Sequence, residues 1–183
     1  MKQILVVVDM QKDFTTGPLG NAACAAVVPT IADIIKSGAY DRIIFTKDTH
    51  QETYLQTQEG QRLPVAHCIE GTPGWEIVPE LSDAAAALEQ PVEIICKPAF
   101  GSVRLGERLR EICKTDTGEA VTIDFCGVCT GICVISNVLI AKAFVPEVPI
   151  RVIGHACACV TPESHRTAIA AMKTCQVDIL EEK

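Results

Sequence analysis

Aromatic side chains are scarce in this chain of 183 residues: one Trp, two Tyr and five Phe, 4 % of the total. A core so poor in rings has to be filled by aliphatic residues, and the sequence supplies them, with 48 % apolar against 21 % charged residues. That balance excludes a disordered or fibrous chain and predicts a globular protein. Long apolar runs are lacking too. The stretch from Gln3 to Val8 is too short for a signal-peptide core, and no segment reaches the roughly 18 uninterrupted apolar residues of a membrane-spanning helix. The expectation is a soluble, unexported, cytoplasmic protein with no membrane partner. Clustered cations are missing as well. The 16 Lys and Arg against 23 Asp and Glu leave a formal charge of −7, with no basic row to neutralise phosphates, so nucleic acid is not an expected partner.

Cysteine, in contrast, is plentiful at ten residues. Without an export signal these are expected to be thiols rather than disulfides. Cys24, Cys96, Cys113 and Cys175 are read as small packing hydrophobes. The length suits a single domain spanning residues 1–183.

The apolar pattern alternates between strand and helix. Ile4–Val8 is a β-branched run that stops at Asp9, and Ala22–Lys36 has helical spacing ended by Ser37-Gly38. The alternation continues with Arg42–Thr46 (strand), Val92–Cys96 (strand), Arg104–Cys113 (helix), Ala120–Phe125 (strand) and Ile132–Phe144 (helix). It ends with Ile150–Ile153 (strand), Pro162–Thr174 (helix) and Val177–Leu180 (strand). This order predicts an α/β three-layer sandwich around a mainly parallel sheet of about six strands. Residues 47–91, rich in Gly and Pro, read as a long insertion, with Ala84–Ala87 in a short surface helix. The Ala- and Val-rich face from Val138 to Ala143 suits either the core or a partner subunit, which leaves a homo-oligomer open.

Ligands of open parallel sheets bind beyond the carboxyl ends of the strands. Asp9, Asp48 with His50, Lys97, and the turn from Cys126 to Cys133 all stand at such ends. Cys133, at the start of the helix Ile132–Phe144, is placed to be a nucleophile, because a helix N-terminus and a nearby ammonium, here Lys97, favour a thiolate. Asp9 is the matching general base, and the backbone N–H groups of Cys129 and Cys133 are candidate oxyanion donors. Asp48, His50 and His67, with Glu59 between them, offer a divalent metal an N/O ligand set that suits zinc, manganese or iron. Each feature also has a structural reading: Asp forms caps and turns, Lys is commonly solvated, and these histidines could be surface residues of a polar loop. Cys126, Cys129 and Cys133 could instead be metal or cluster ligands, although a paired C-x-x-C partner is missing. A non-catalytic metal- or redox-binding protein using these thiols with Cys157 and Cys159 is therefore the rival reading.

Several stretches taken together resemble one family. They are Asp9-Met10-Gln11-Lys12-Asp13-Phe14, Asp48-Thr49-His50, Pro64-Val65-Ala66-His67-Cys68 with Gly71-Thr72-Pro73-Gly74, and Lys97-Pro98-Ala99-Phe100-Gly101-Ser102. Gly127-Val128-Cys129-Thr130 before Ile132-Cys133-Val134, and Thr161-Pro162-Glu163-Ser164-His165, complete the set. The chain resembles the nicotinamidase branch of the isochorismatase-like cysteine hydrolases from Val8 to about Met172. The resemblance implies a Rossmann-like fold, a catalytic Asp9, Lys97 and Cys133, a cis peptide between Val128 and Cys129, and a thioester intermediate. It further implies a metal on Asp48, His50, His67 and Glu59 that binds a pyridine nitrogen, with Phe14 and the position near Leu63 contacting the ring. The implied reaction is hydrolysis of nicotinamide to nicotinate and ammonia, within NAD salvage, with another small amide as the alternative substrate. Three positions depart from the pattern: Gly131 replaces an acidic or polar residue, Leu63 an aromatic, and His155 the Asp of Asp-Ala-Cys.

Overall fold

The computed structural model describes residues 1–115 and 119–181. The chain runs β1 (Lys2–Val8), α1 (Lys12–Thr15), α2 (Ala22–Ala26), α3 (Val28–Lys36), β2 (Arg42–Asp48), α4 (Gln58–Arg62) and α5 (Pro79–Ala86). It continues through β3 (Val92–Lys97), α6 (Val103–Thr115), β4 (Val121–Val128), α7 (Ile135–Phe144), β5 (Ile150–Ala158), α8 (Pro162–Thr174) and β6 (Asp178–Leu180). All six strands are parallel, in the order β3-β2-β1-β4-β5-β6. The expected α/β architecture is therefore present, and the order reverses between β1 and β4. Right-handed crossovers place the helices of the two halves on opposite faces. Accordingly α3 packs with α5, whereas α7 packs with both α6 and α8.

Parallel strands covered on both faces read as continuous apolar runs. Ile4 to Val8 of β1 and every residue of β4 are buried. The low aromatic content is met by Ile, Val and Leu, with Phe45 and Phe125 among the few rings fully buried.

Several elements differ from expectation. The helix predicted over Ala22–Lys36 is broken at Val27, where Pro29 in the first turn of α3 has no N–H to continue the preceding ladder. β5 extends to Ala158 through Gly154 and His155, and a register shift against β4 between Phe125 and Gly127 accommodates the irregularity. β4 runs on through Val128 because Gly127, at φ +115°, lets the backbones close up; a Cβ there would lie 2.2 Å from the Val8 carbonyl oxygen. The insertion begins after Asp48 rather than at residue 47, and its α5 buries Leu81, Ala84 and Ala85, so the alanine run is only partly a surface feature. Cys24 packs in the core as expected, but Cys96, on the outer side of edge strand β3, and Cys175, capping α8, are exposed. Among the described residues no helix is long and apolar enough to cross a membrane.

Candidate active site and metal centre

The strand register assembles the site. Asp48 and Lys97 are the last residues of β2 and β3, not residues beyond them, and they are paired across the sheet, so Lys97 Nζ lies 3.2 Å from Asp48 Oδ1. Val8 pairs with Thr46 on one side and Gly127 on the other, so Asp9 emerges in the crevice where the strand order reverses. Asp9 turns there with a left-handed φ of +49°, an uncommon conformation for a side-chain-bearing residue. Its Oδ2 lies 2.6 Å from Lys97 Nζ, and its Oδ1 accepts a 2.6 Å hydrogen bond from Thr46 Oγ1. Lys97 Nζ also donates to the Ala99 carbonyl at 3.0 Å and lies 3.7 Å from Cys133 Sγ. Acid, ammonium and thiol are thus brought together, all nearly inaccessible to water.

Cys133 lies in a π-wound turn, Thr130–Val134, that precedes α7. The Val134 N–H spans the turn to the Cys129 carbonyl at 3.1 Å, and the Val128–Cys129 peptide is cis, as the resemblance implied. The expectation of a ready-made thiolate is not met. Burial and the Asp9 charge push the Cys133 thiol well up, and the Lys97 ammonium only partly opposes them. Burial likewise raises Asp9 above the ordinary carboxylate range against the pull of Lys97. Lys97 is disfavoured by burial but held firmly charged chiefly by the Asp9 and Asp48 carboxylates. Burial thus works against a thiolate at Cys133, next to the 2.6 Å Asp9–Lys97 contact.

The second constellation adjoins the first. Ligand atoms of Asp48, His50, Glu59 and His67 all lie within 4.8 Å of one another. His50 Nε2 is 3.0 Å and His67 Nε2 3.5 Å from Asp48 Oδ2, and Glu59 Oε1 is 3.7 and 3.9 Å from the same two nitrogens. The close Asp48–His50 approach follows from their alternation along extended chain. His67 Nδ1 lies 2.8 Å from the Val65 carbonyl oxygen, which assigns the proton to Nδ1 and leaves the Nε2 lone pair facing the cluster. Burial opposes ionisation of Asp48, but the hydrogen bond from His50 and the Lys97 charge hold its carboxyl below the usual range. Two carboxylates and two oriented imidazoles fit a divalent transition metal. Among the described residues, the group that could hold a metal contains no thiol, against the rival use of Cys126, Cys129, Cys133, Cys157 and Cys159.

Both constellations open into one cavity of about 400 Å³, lined by Asp48, Glu59, His67, Cys129 and Cys133 with Phe14, Leu63, Phe100, Ile132 and Val160. Phe14 and Leu63 are where ring contacts were expected, and Phe14 stands edge-on to His67 with ring centroids 5.5 Å apart.

Several supporting residues were missed from sequence. The Gln11 amide donates to the Asp48 carbonyl at 2.9 Å and accepts the Asp48 N–H at 2.7 Å, clamping that residue as a strand would. Asp13 accepts the Cys68 N–H at 2.8 Å beside His67, and it sits so close to Gly74 that a Cβ there would be 2.1 Å from Asp13 Oδ1. Tyr54 packs against both histidines at 4.6 and 4.9 Å and donates from its hydroxyl to the Leu63 carbonyl. For Gln11 and Asp13 a signal existed: three polar residues at alternate positions, 9, 11 and 13, directly after an apolar strand. Tyr54 carried none.

Fold and site together define an α/β protein with an acid–ammonium–thiol centre at the reversal of its strand order, next to a group of carboxylates and imidazoles that could hold a metal ion. A family model described as Isochorismatase domain matches residues 3–182, and the chain belongs to the isochorismatase family. It is 33 % identical over 86 residues to the nicotinamidase/pyrazinamidase of Mycobacterium tuberculosis (strain ATCC 25618 / H37Rv); this match spans 44 % of the chain and 46 % of that relative, less than half its length. Similar solved structures include the pyrazinamidase of Pyrococcus horikoshii in complex with zinc, at 26 % identity and TM-score 0.76 over the whole of both chains. Another is the pyrazinamidase/nicotinamidase of Streptococcus mutans UA159, at 26 % identity and TM-score 0.82, covering 97 % of this chain and 99 % of the other.

Proposed function

We propose that the protein is an amidohydrolase that converts nicotinamide and water to nicotinate and ammonia through a thioester on Cys133. The observation that carries this reading is the shared cavity: Cys133 and the Asp48, Glu59 and His67 side chains line the same space of about 400 Å³, so one small ligand can reach both. A divalent metal on Asp48, His50, His67 and Glu59, zinc before manganese or iron, would supply a Lewis acid for a ring nitrogen lone pair. The zinc complex of the Pyrococcus horikoshii relative supports this choice of metal.

The chemistry at the amide follows from the chain's own groups. Because burial opposes a thiolate, Asp9 takes the thiol proton as Sγ attacks the amide carbon. Its raised pKa suits it to hold that proton and then hand it to the departing ammonia. Lys97 stays charged and steadies both the carboxylate and the developing thiolate. The backbone N–H groups of Cys129 and Cys133 take the oxyanion, each such donor being typically worth about 3 kcal/mol. Water, deprotonated by Asp9, then cleaves the thioester. Phe14 and Leu63 hold the ring. The chain would act as one domain in the cytoplasm, feeding NAD salvage without a nucleic acid or membrane partner.

Leu63 favours a second reading, another small amide, because an aliphatic side chain provides no ring to stack on a pyridine. The test is ammonia release from nicotinamide by wild type and Cys133→Ala, with chelator and with metal restored. Activity requiring both thiol and metal supports the reading; no ammonia from folded, metal-loaded wild type overturns the substrate.

A further inference from the structure

The Thr161-to-His165 stretch has no part in the chemistry above, yet it reaches the nucleophile's turn. Thr161 caps α8 reciprocally with Ser164: its Oγ1 accepts the Ser164 N–H and Ser164 Oγ lies 3.1 Å from the Thr161 N. This fixes the first turn of α8 and with it His165. The His165 Nδ1 then lies 2.9 Å from Oγ1 of Thr130, a fully buried residue that opens the π-wound turn.

We propose that His165 is a positioning residue that acts through Thr130 to hold the Cys129–Cys133 turn in the shape acyl transfer requires. This inference rests on the proposed role of the Cys129 and Cys133 N–H groups. A π-wound turn is a rare geometry that local hydrogen bonding alone seldom sustains. On its outer side the turn packs against α8, with Gly131 facing Ser164 and Ala168, and a groove of about 570 Å³ lies beside that contact, lined by Gly131, Ile132, Cys159 and Ser164. Gly131 contributes no side chain to that contact. Among the described residues, polar links tie the turn to its surroundings through the Thr130–His165 bond and the Gly131 N–H directed at Cys159 Sγ at 3.4 Å. A donor aimed at an oxyanion acts through its fixed position, so a loosened turn lowers the rate without weakening ligand binding by the metal ligands and apolar walls.

The test uses the metal-loaded full chain with His165→Ala, Thr130→Val, the double variant and His165→Asn, whose amide can stand where Nδ1 stood. Acylation is read as the p-nitrophenolate burst from p-nitrophenyl acetate, with Cys133→Ala as the blank, alongside kcat and KM for nicotinamide. His165→Ala and Thr130→Val should each slow acylation roughly ten- to a hundredfold, at or below the loss of an entire oxyanion donor. KM should stay within about twofold, the double variant should be no slower than either single one, and His165→Asn should recover most of the rate. Wild-type acylation in His165→Ala overturns the proposal. So do multiplicative losses shared by KM that Asn fails to rescue, and so does a wild type with no Cys133-dependent burst. A His165-dependent burst without nicotinamide turnover supports the positioning role while removing the substrate assignment.

Discussion

The site has two halves that are held in different ways. Asp9, Asp48 and Lys97 stand at the ends of neighbouring parallel strands, and ladder register sets their spacing, reinforced by Gln11 at Asp48 and Thr46 at Asp9. Glu59 and His67 belong to the segment between β2 and β3, where short turns, α4 and one isolated parallel bridge, His50 with Ile69, take the place of a continuous ladder. There the spacing depends on that bridge and on further contacts: Asp13 on the Cys68 N–H, Tyr54 against both imidazoles, and the Val65 carbonyl on His67. A group carried by a strand end is in place before any ligand arrives, whereas one carried by a loop needs its neighbours, and a bound cation, to complete it. Buried charge follows the same division. Lys97 is compensated by protein carboxylates, while the cluster of Asp48, Glu59 and two imidazoles is suited to an added cation.

The largest expected effect removes the reacting atom. Cys133→Ala should lower ammonia release more than about 10⁴-fold while leaving the unfolding midpoint nearly unchanged, since only a sulfur is lost. Equal losses of activity and stability would mean the thiol serves packing. Next, Lys97→Met leaves Asp9 and Asp48 without their shared ammonium and should cost about 3–5 kcal/mol in urea unfolding, the penalty of breaking a buried ion pair. His67→Ala in metal-free protein should cost clearly less; if the two match, the strand-borne half is no more self-sufficient than the loop-borne half. Metal removal addresses the loop directly. With free metal at a hundredfold its Kd, chelation should remove about 2.7 kcal/mol of stability. Amide exchange should then quicken through residues 50–70 and not in β1 or β4, and uniform quickening would erase the distinction.

Gln11 joins the halves through its two bonds to the Asp48 backbone, and Gln11→Ala should cost about 1–3 kcal/mol by leaving those buried groups unpaired. The smallest effect concerns strand charges that face water. Glu93 on β3 pairs with Arg108 at 2.7 Å and with Arg42, and the Arg108 hydrogen bonds hold its carboxyl below the ordinary value. A depressed carboxyl pKa adds stability above the unfolded pKa and loses it as pH falls through the folded one. Glu93→Gln should therefore cost less than about 1 kcal/mol at neutral pH, and the difference should vanish in acid. A larger cost, or one that grows in acid, would place this pair with the buried charges.

Much of this was legible locally. The alternation of apolar runs located all six strands, and Asp9, Asp48, Lys97 and Cys133 could be picked out as polar residues at strand ends. Boundaries failed where the local signal was ambiguous, at Gly154 within β5 and at Pro29 within a helical period. The clamps were hidden because Gln11 and Asp13 act on partners 37 and 55 residues away. The opposition to a thiolate was missed for a related reason: helix position is a local feature, whereas burial beside Asp9 is not.

By itself the sequence determined which chemical groups are present and which follow a strand, because side-chain facing repeats over a few residues and is written into them. Only the tertiary structure decided which strand ends are neighbours, that two constellations share one cavity, that the turn carrying Cys133 is π-wound and tied to His165, and that burial works against a thiolate there. Those outcomes depend on strand order, crossover hand and exclusion of water, which are properties of the assembled core rather than of any short stretch of chain.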